Sequence, residues 1–245
     1  MKTFPKLLIV IFFFSQNIFF ASAYVVKNLK ATYSNGQVFL KWTTPASTNL
    51  KYNVYRSTTK FTSTSQLNSS TLIGNVRDSS CKNFRLSQIL GGQRYFKTDN
   101  AGTTMAANKG LYVFTCLDNQ SYFYCVTVTK LSNNVETKKI NDGKNNLKTA
   151  IAESIANPQP VLQDSVTWGN DEQVLYYAWF VNNVDAPNFP AMCSQGSYGF
   201  NFYLIKRGNA TTYPIFAFYE GLQENSLKGN GIDSFKNVTN CYILG

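Results

Sequence analysis

Histidine is missing from all 245 residues of this chain. A Ser-His-Asp or Cys-His arrangement needs an imidazole to take the nucleophile's proton near neutral pH, so the chain cannot complete such a triad by itself. The next candidates are Cys81, Cys116, Cys125, Cys193 and Cys241. Their spacings are irregular, and without His partners they do not read as a zinc site. An odd count leaves at least one thiol unpaired or paired to another chain. Most read as small buried apolar residues, and the sequence leaves any pairing among them open.

Carboxylates offer a second chemistry. Asp164, Asp171, Glu172, Asp185 and Glu220 could supply the pair that cleaves a glycoside, but no spacing fixes two of them together, and they read as solvated acids in loops or at strand ends. Asn141-Asp142-Gly143 and Asn230-Gly231-Ile232-Asp233 come nearest to a calcium loop and read as turns. Gly91-Gly92 and Gly110 do not make a phosphate-binding fingerprint. The sequence thus assigns no catalytic, cofactor-binding or metal-ligating residue and implies no cofactor. Aromatic residues, at 15%, are dense enough to ask what they do. Most fall at strand periodicity, as core residues would. Phe180, Tyr198 and Tyr203 fall outside the inner-face series and are candidates for exposed rings that stack on sugars.

The formal net charge is +10. The excess reflects scarce acids, since charged residues make up only 15% of the chain. Bases are scattered, and Lys138-Lys139 and Lys206-Arg207 are the adjacent pairs beyond the N-terminal segment. Nucleic-acid binding calls for a patch or stripe and is not expected. A mildly basic exported chain is suited to acidic surface polymers, so protein or surface polysaccharide is the expected partner class.

Export is read from the N-terminus. Lys2 and Lys6 precede an apolar run, Leu7 to Phe14, extended by Ile18 to Phe20 and followed by Ala21-Ser22-Ala23. This is a secretory signal with cleavage after Ala23. Ser15, Gln16 and Asn17 interrupt the run, which is short for a span of about 20 apolar residues. No stable membrane insertion is expected after cleavage. Asn-x-Ser/Thr at Asn68, Asn119, Asn209 and Asn237 marks exposed turns, and acceptors if the host glycosylates exported proteins.

The elements that would carry any site are mostly strands. Leu29, Ala31 and Tyr33 alternate with polar residues up to Asn35-Gly36, a two-residue hairpin signal, after which Val38, Leu40 and Trp42 alternate. Lys51 to Ser57 and Thr71 to Val76 follow. Ser121 to Lys130 places Tyr122, Tyr124, Val126 and Val128 on one face, and Val135 to Ile140 can pair back on it. Between Ser79 and Thr115 the pattern loosens, with an extra hairpin expected from Arg94–Lys97 against Gly110–Phe114. Asp142 to Gln163 turns polar, with a short helix expected over Lys148–Ile155. Three aromatic strands come next: Gln173–Val181, Gly199–Lys206 and Tyr213–Glu220. The last is apolar almost throughout, as a strand covered on both faces would be.

Val26-Lys27-Asn28-Leu29-Lys30-Ala31, then Val38-Phe39-Leu40-Lys41-Trp42 and Pro45, resemble the first two strands of a fibronectin type III domain. Tyr52-Asn53-Val54-Tyr55-Arg56-Ser57 resembles its third strand, and Tyr122-Phe123-Tyr124-Cys125-Val126-Thr127-Val128 its penultimate one. The resemblance implies that Trp42 is core and that Tyr122 is a corner tyrosine bonding nearby backbone. No Arg-Gly-Asp tripeptide is present. Leu175 to Glu224 resembles the entry to an α/β-hydrolase domain of secreted esterases, but a Tyr219-Glu220-Gly221 turn stands where the family has His-Gly. The nucleophile elbow Gly-x-Ser-x-Gly is absent.

The expected fold is therefore mainly β, a fibronectin type III-like β-sandwich followed by a small incomplete β-rich region. Residues 1–23 are the signal, 24–142 the sandwich with an insertion near 79–110, 143–165 a linker and 166–245 the partial region. The expected function is a secreted or cell-envelope, non-catalytic module for adhesion, spacing or partner binding. The alternative is an N-terminal fragment of a secreted serine esterase or peptidase whose catalytic residues lie on other chain.

Overall fold

An Asn-Gly pair starts the fold. Strands β1 (Lys27–Ser34) and β2 (Gln37–Thr43) form an antiparallel hairpin. Its turn residues Asn35 and Gly36 have φ of 46° and 76°, the left-handed pair that a type I′ turn requires. Gly36 is constrained twice, because a Cβ there would lie 2.1 Å from the carbonyl oxygen of Ala156. The computed structural model describes residues 24–168, 172–180, 200–207 and 218–221. The signal expected over 1–23 lies outside them.

Strand β5 (Lys109–Thr115) pairs with the free edge of β2, giving the sheet β1-β2-β5. The hairpin expected between Arg94–Lys97 and Gly110–Phe114 is therefore replaced by pairing with β2. A second antiparallel sheet runs β4-β3-β6-β7 through β3 (Leu50–Ser57), β4 (Thr71–Arg77), β6 (Ser121–Lys130) and β7 (Val135–Thr137). The two sheets share one core. Trp42 packs on Tyr52 with ring centroids 5.5 Å apart, Phe114 meets Tyr124 at 6.5 Å, and the Tyr112 hydroxyl donates to the Ile73 carbonyl at 2.7 Å. Gly110 stands opposite Trp42 in register, and a Cβ there would lie 2.1 Å from the indole. The missing side chain is what lets the ring lie on the β5 backbone.

Among the described residues two short helices interrupt the strands, and alternation does not announce either. In α1 (Thr64–Asn68), the Gln66 side-chain carbonyl accepts from the N–H groups of Thr62 and Ser63. In α2 (Phe84–Leu90), the Asn83 side-chain oxygen accepts from the N–H of Leu86 at 3.0 Å. Each satisfies donors that a helix start leaves open. The helix expected over Lys148–Ile155 does not form. Ile151 and Ala152 are instead a short strand, β8, paired with Tyr122 and Ser121.

The segment 143–165, read as a linker, is built into the fold. The Lys144 carbonyl accepts from Leu29 N–H at 2.8 Å, the Asn145 carbonyl from Val126 N–H at 2.8 Å, and Leu147 N–H donates to Tyr124 at 3.0 Å. A linker leaves its backbone to water, whereas this one spends it on the sheets. At its end β9 (Val161–Trp168) joins β10 (Glu172–Trp179), β11 (Phe200–Arg207) and β12 (Phe218–Gly221) in an antiparallel sheet ordered β12-β11-β10-β9. Of the strand expected over Tyr213–Glu220, residues 213–217 lie outside the described ones.

The residues near 79–110 are also more than a surface insertion. Phe39 points away from the shared core, yet it is 4% exposed. Its ring meets Phe180 edge-on at 5.4 Å, and Phe180 meets Phe96 at 5.3 Å. Val161 and Ala178 are buried in the same cluster. Gln37, itself buried, donates to the Phe180 carbonyl at 2.6 Å. Gln163 accepts from Lys97 N–H at 2.9 Å and donates to the Lys97 carbonyl at 3.0 Å, so one side chain imitates a strand pairing. The chain is thus mainly β, and its three-stranded sheet is covered on both faces.

Candidate functional site

The groups that could do chemistry are mostly used up by the fold. Cys81, Cys116 and Cys125 are buried free thiols. Burial pushes the Cys81 thiol up to about 11, and burial together with Glu153 pushes Cys116 up to about 12, so neither is a thiolate near neutral pH. Burial, then the charge of Glu136, raises Cys125 further. Cys193 and Cys241 lie outside the described residues.

Among the described residues the candidate carboxylates do not assemble. Asp164 is bound to Arg94 at 2.7 Å. Glu172 sits opposite Arg207 on β11 and Glu220 opposite Asn201, so their register positions are six residues, or about 20 Å, apart along that strand. A glycosidase pair stands within about 10 Å. Asp171 and Asp185 lie outside the described residues. At Asn141-Asp142-Gly143 the Asp142 carboxylate faces Lys60 at 3.5 Å, and Gly143 N–H donates to the Asn146 side chain at 3.0 Å, which makes the segment a turn. Asn230 to Asp233 lie outside the description. Among the described residues no cluster of three metal-ligating side chains occurs.

Of the rings expected to be exposed, Phe180 is fully buried, because the covering layer closes on it. Tyr198 lies outside the described residues, and Tyr203 is opposite Tyr176 in the β10–β11 register. Asn68 and Asn119 are exposed as the motif predicts, although Asn68 accepts from Lys138 and Asn119 from Ile155 N–H. Asn209 and Asn237 lie outside the description.

One charged constellation is internal. Arg56 on β3 directs its guanidinium at Glu153, Nε to Oε1 at 3.2 Å and Nη2 to Oε2 at 2.6 Å. Tyr124 donates to the same carboxylate at 2.5 Å, and Asp118 takes Arg56 Nη2 at 3.2 Å. The guanidinium lies 3.3 Å from the Tyr122 ring centre and 4.7 Å from that of Phe114. The Tyr122 hydroxyl donates to the Asp118 carboxylate at 2.8 Å, not to the backbone bond that a corner tyrosine would make. None of these side chains leaves a fully buried polar atom without a partner, and the Glu153 side chain is sealed from solvent, which makes this a structural clasp.

Among the described residues an open groove lies elsewhere. A groove of about 770 Å³ runs beside the β1–β2 hairpin under the segment from Thr98 to Lys109. Lys30 and Lys41 are directly opposite in the β1–β2 register, and Lys109 is opposite Thr43, two positions further along the same face. All three lysines line the groove. Lys41 Nζ donates to the Thr98 hydroxyl at 3.1 Å and Lys109 Nζ to the Thr43 hydroxyl at 2.8 Å. Hydroxyl partners fix an ammonium without neutralising it. Among the described residues, none of the three is paired with a carboxylate. Asp99 and Trp42 also line the groove, and the Trp42 Nε1–H has no acceptor among the described residues. No part of this site was named by sequence reasoning. The available signal was register: given the Asn-Gly turn, Lys30 and Lys41 must pair.

No protein-family model matches the chain, and no curated protein matches it. Among the described residues no helix is long and apolar enough to cross a membrane.

Proposed function

We propose that this chain is a secreted or cell-envelope module that binds rather than catalyses, serving adhesion, spacing or partner binding from a fibronectin type III-like sandwich. The observation that supports this reading most is a division of labour among its charges. Arg56, Glu153, Asp118 and Asp164 are tied to partners within the fold, whereas the ammonium groups of Lys30, Lys41 and Lys109 face an open groove with no carboxylate partner among the described residues. Unpaired charge held at the surface attracts partners by long-range electrostatics.

The test has two arms. The purified protein is sedimented with cell envelopes of the organism that makes it, and is assayed on a simple aryl ester. Co-sedimentation that weakens with added salt, with no ester turnover, is the expected result. Turnover that survives successive removal of contaminants would replace this reading with that of a hydrolase fragment. Failure to co-sediment at any ionic strength would remove adhesion.

A further inference from the structure

We propose that the lysine groove is the binding site of this module and that its ligand is an acidic polysaccharide, a sugar chain carrying carboxylate or sulfate groups. The proposal rests on the binding-module reading and adds to it a place and a chemistry.

Like charges directly opposite on neighbouring strands destabilise a sheet. Lys30 and Lys41 occupy such a pair, as do Lys51 and Arg77 on the other sheet, but of the two pairs it is Lys30 and Lys41 that line this groove. Lys109 adds a third ammonium about 7 Å further along the same face. Lys41 and Lys109 are held by hydroxyls and not by carboxylates, which leaves their positive charge available for an anion outside. The groove's volume of about 770 Å³ suits a multi-ring ligand rather than a small inorganic ion.

The remaining walls narrow the chemistry. Asp99 also lines the groove, with its carboxylate beside Gly102. It would repel a uniform polyanion but accepts from hydroxyl groups, which a sugar chain interleaves with its charges. The Thr98 hydroxyl, already fixed by Lys41, has lone pairs left for the same purpose. The indole of Trp42 is 1% exposed, so the groove presents no aromatic face of the kind single-stranded nucleic acids stack on.

The test titrates the purified protein with polygalacturonate, dextran sulfate, neutral dextran, inorganic polyphosphate and anionic phospholipid vesicles. Three forms are compared: the native chain, a groove variant (Lys30→Gln, Lys41→Gln, Lys109→Gln) and a charge-matched variant at residues that do not line the groove (Lys51→Gln, Arg77→Gln, Lys139→Gln). The groove variant is expected to lose at least about tenfold in affinity for the acidic sugars and the matched variant less than about twofold. Preference between the two acidic sugars identifies carboxylate or sulfate as the source of charge. Equal losses in both variants would overturn the proposal in favour of general electrostatics. So would neutral dextran bound as tightly as the acidic chains, or polyphosphate or vesicles bound in preference to them. Thermal unfolding checks that each variant folds. If the triple variant does not, Lys30→Glu, at an exposed position, carries the same comparison. Envelope sedimentation of the same proteins separates the two readings. A groove variant that adheres like the native chain sinks the groove and leaves the module. A native chain that does not adhere sinks the module, while the sugar titration still decides the groove.

Discussion

Arg56 and Glu153 meet as a two-point ion pair although 97 residues separate them, with Nη2 2.6 Å from Oε2 and no part of the glutamate side chain exposed. Glu153 is delivered by β8 and by its own N–H, which donates to the Gln120 carbonyl at 2.8 Å. Burying two charges is costly, and the pair is tolerable because Tyr124 and Asp118 complete its hydrogen bonds and two rings flank the guanidinium. The contact therefore fixes where the chain goes after the second sheet more than it adds net stability.

Breaking one side of this pair should be far worse than removing both. Glu153→Ala leaves Arg56 charged without its main partner, and should cost roughly 3–5 kcal/mol in urea unfolding. Replacing the pair together, Arg56→Met with Glu153→Leu, should recover a large part of that loss. A single variant as stable as the native chain would mean that the clasp is not formed in solution.

Stability should fall on the alkaline side. Burial, helped by Asp78, Glu136 and Glu153, raises the phenols of Tyr52, Tyr55 and Tyr124 above their ordinary 10.0. Burial likewise raises the Cys81 thiol from 9.0 to about 11. The folded state then holds these protons more tightly than the unfolded chain. Their contribution is complete below about pH 9 and is lost as pH climbs through and beyond the unfolded values. Urea midpoints between about pH 8 and pH 11 should decline, and Tyr52→Phe should reduce the slope. A flat profile would contradict the burial of these groups.

Trp42 separates packing from hydrogen bonding. Trp42→Ala should cost roughly 3–5 kcal/mol, because a fully buried ring on Tyr52 and Gly110 is deleted. Trp42→Phe keeps a ring and removes a buried N–H that has no partner among the described residues. It should be milder than the alanine change by at least about 1 kcal/mol. Equal losses would show that the indole nitrogen is satisfied in solution.

What the sequence made legible is what alternation can carry. Val38, Leu40 and Trp42 read as one buried face and are one, and Asn35-Gly36 reads as the turn it is. Alternation says nothing of the other face, and Phe39 is covered there by Phe180 from far along the chain. For the same reason Phe180 looked like a free ring. The strand over Gly110–Phe114 was legible but its partner was not, since it pairs with β2, where Gly110 leaves room for Trp42. The lysine groove was illegible because its members belong to three strands that carry one or two charges each. Only the register β1-β2-β5 brings Lys30, Lys41 and Lys109 onto one face.

The path of residues 143–168 gives a sharp test of how the fold is assembled. A flexible linker would be cut first by a protease, leaving a core that ends near Asn141 to Lys148. Here Lys144, Asn145 and Leu147 are bonded to β1 and β6, Glu153 is clasped by Arg56, and Gln163 closes on Lys97. Proteolysis requires local opening of the backbone, and these bonds oppose it. The smallest resistant fragment in limited proteolysis should therefore extend past Gln163, as read by mass determination. In Glu153→Gln, which keeps the shape of the side chain but weakens its hold on Arg56, cleavage between Gly143 and Val161 should become faster while the two sheets stay resistant. A core ending near Lys148 in the native protein would mean that the covering layer is not held in place by these contacts, and the burial of Phe39 would fail with it.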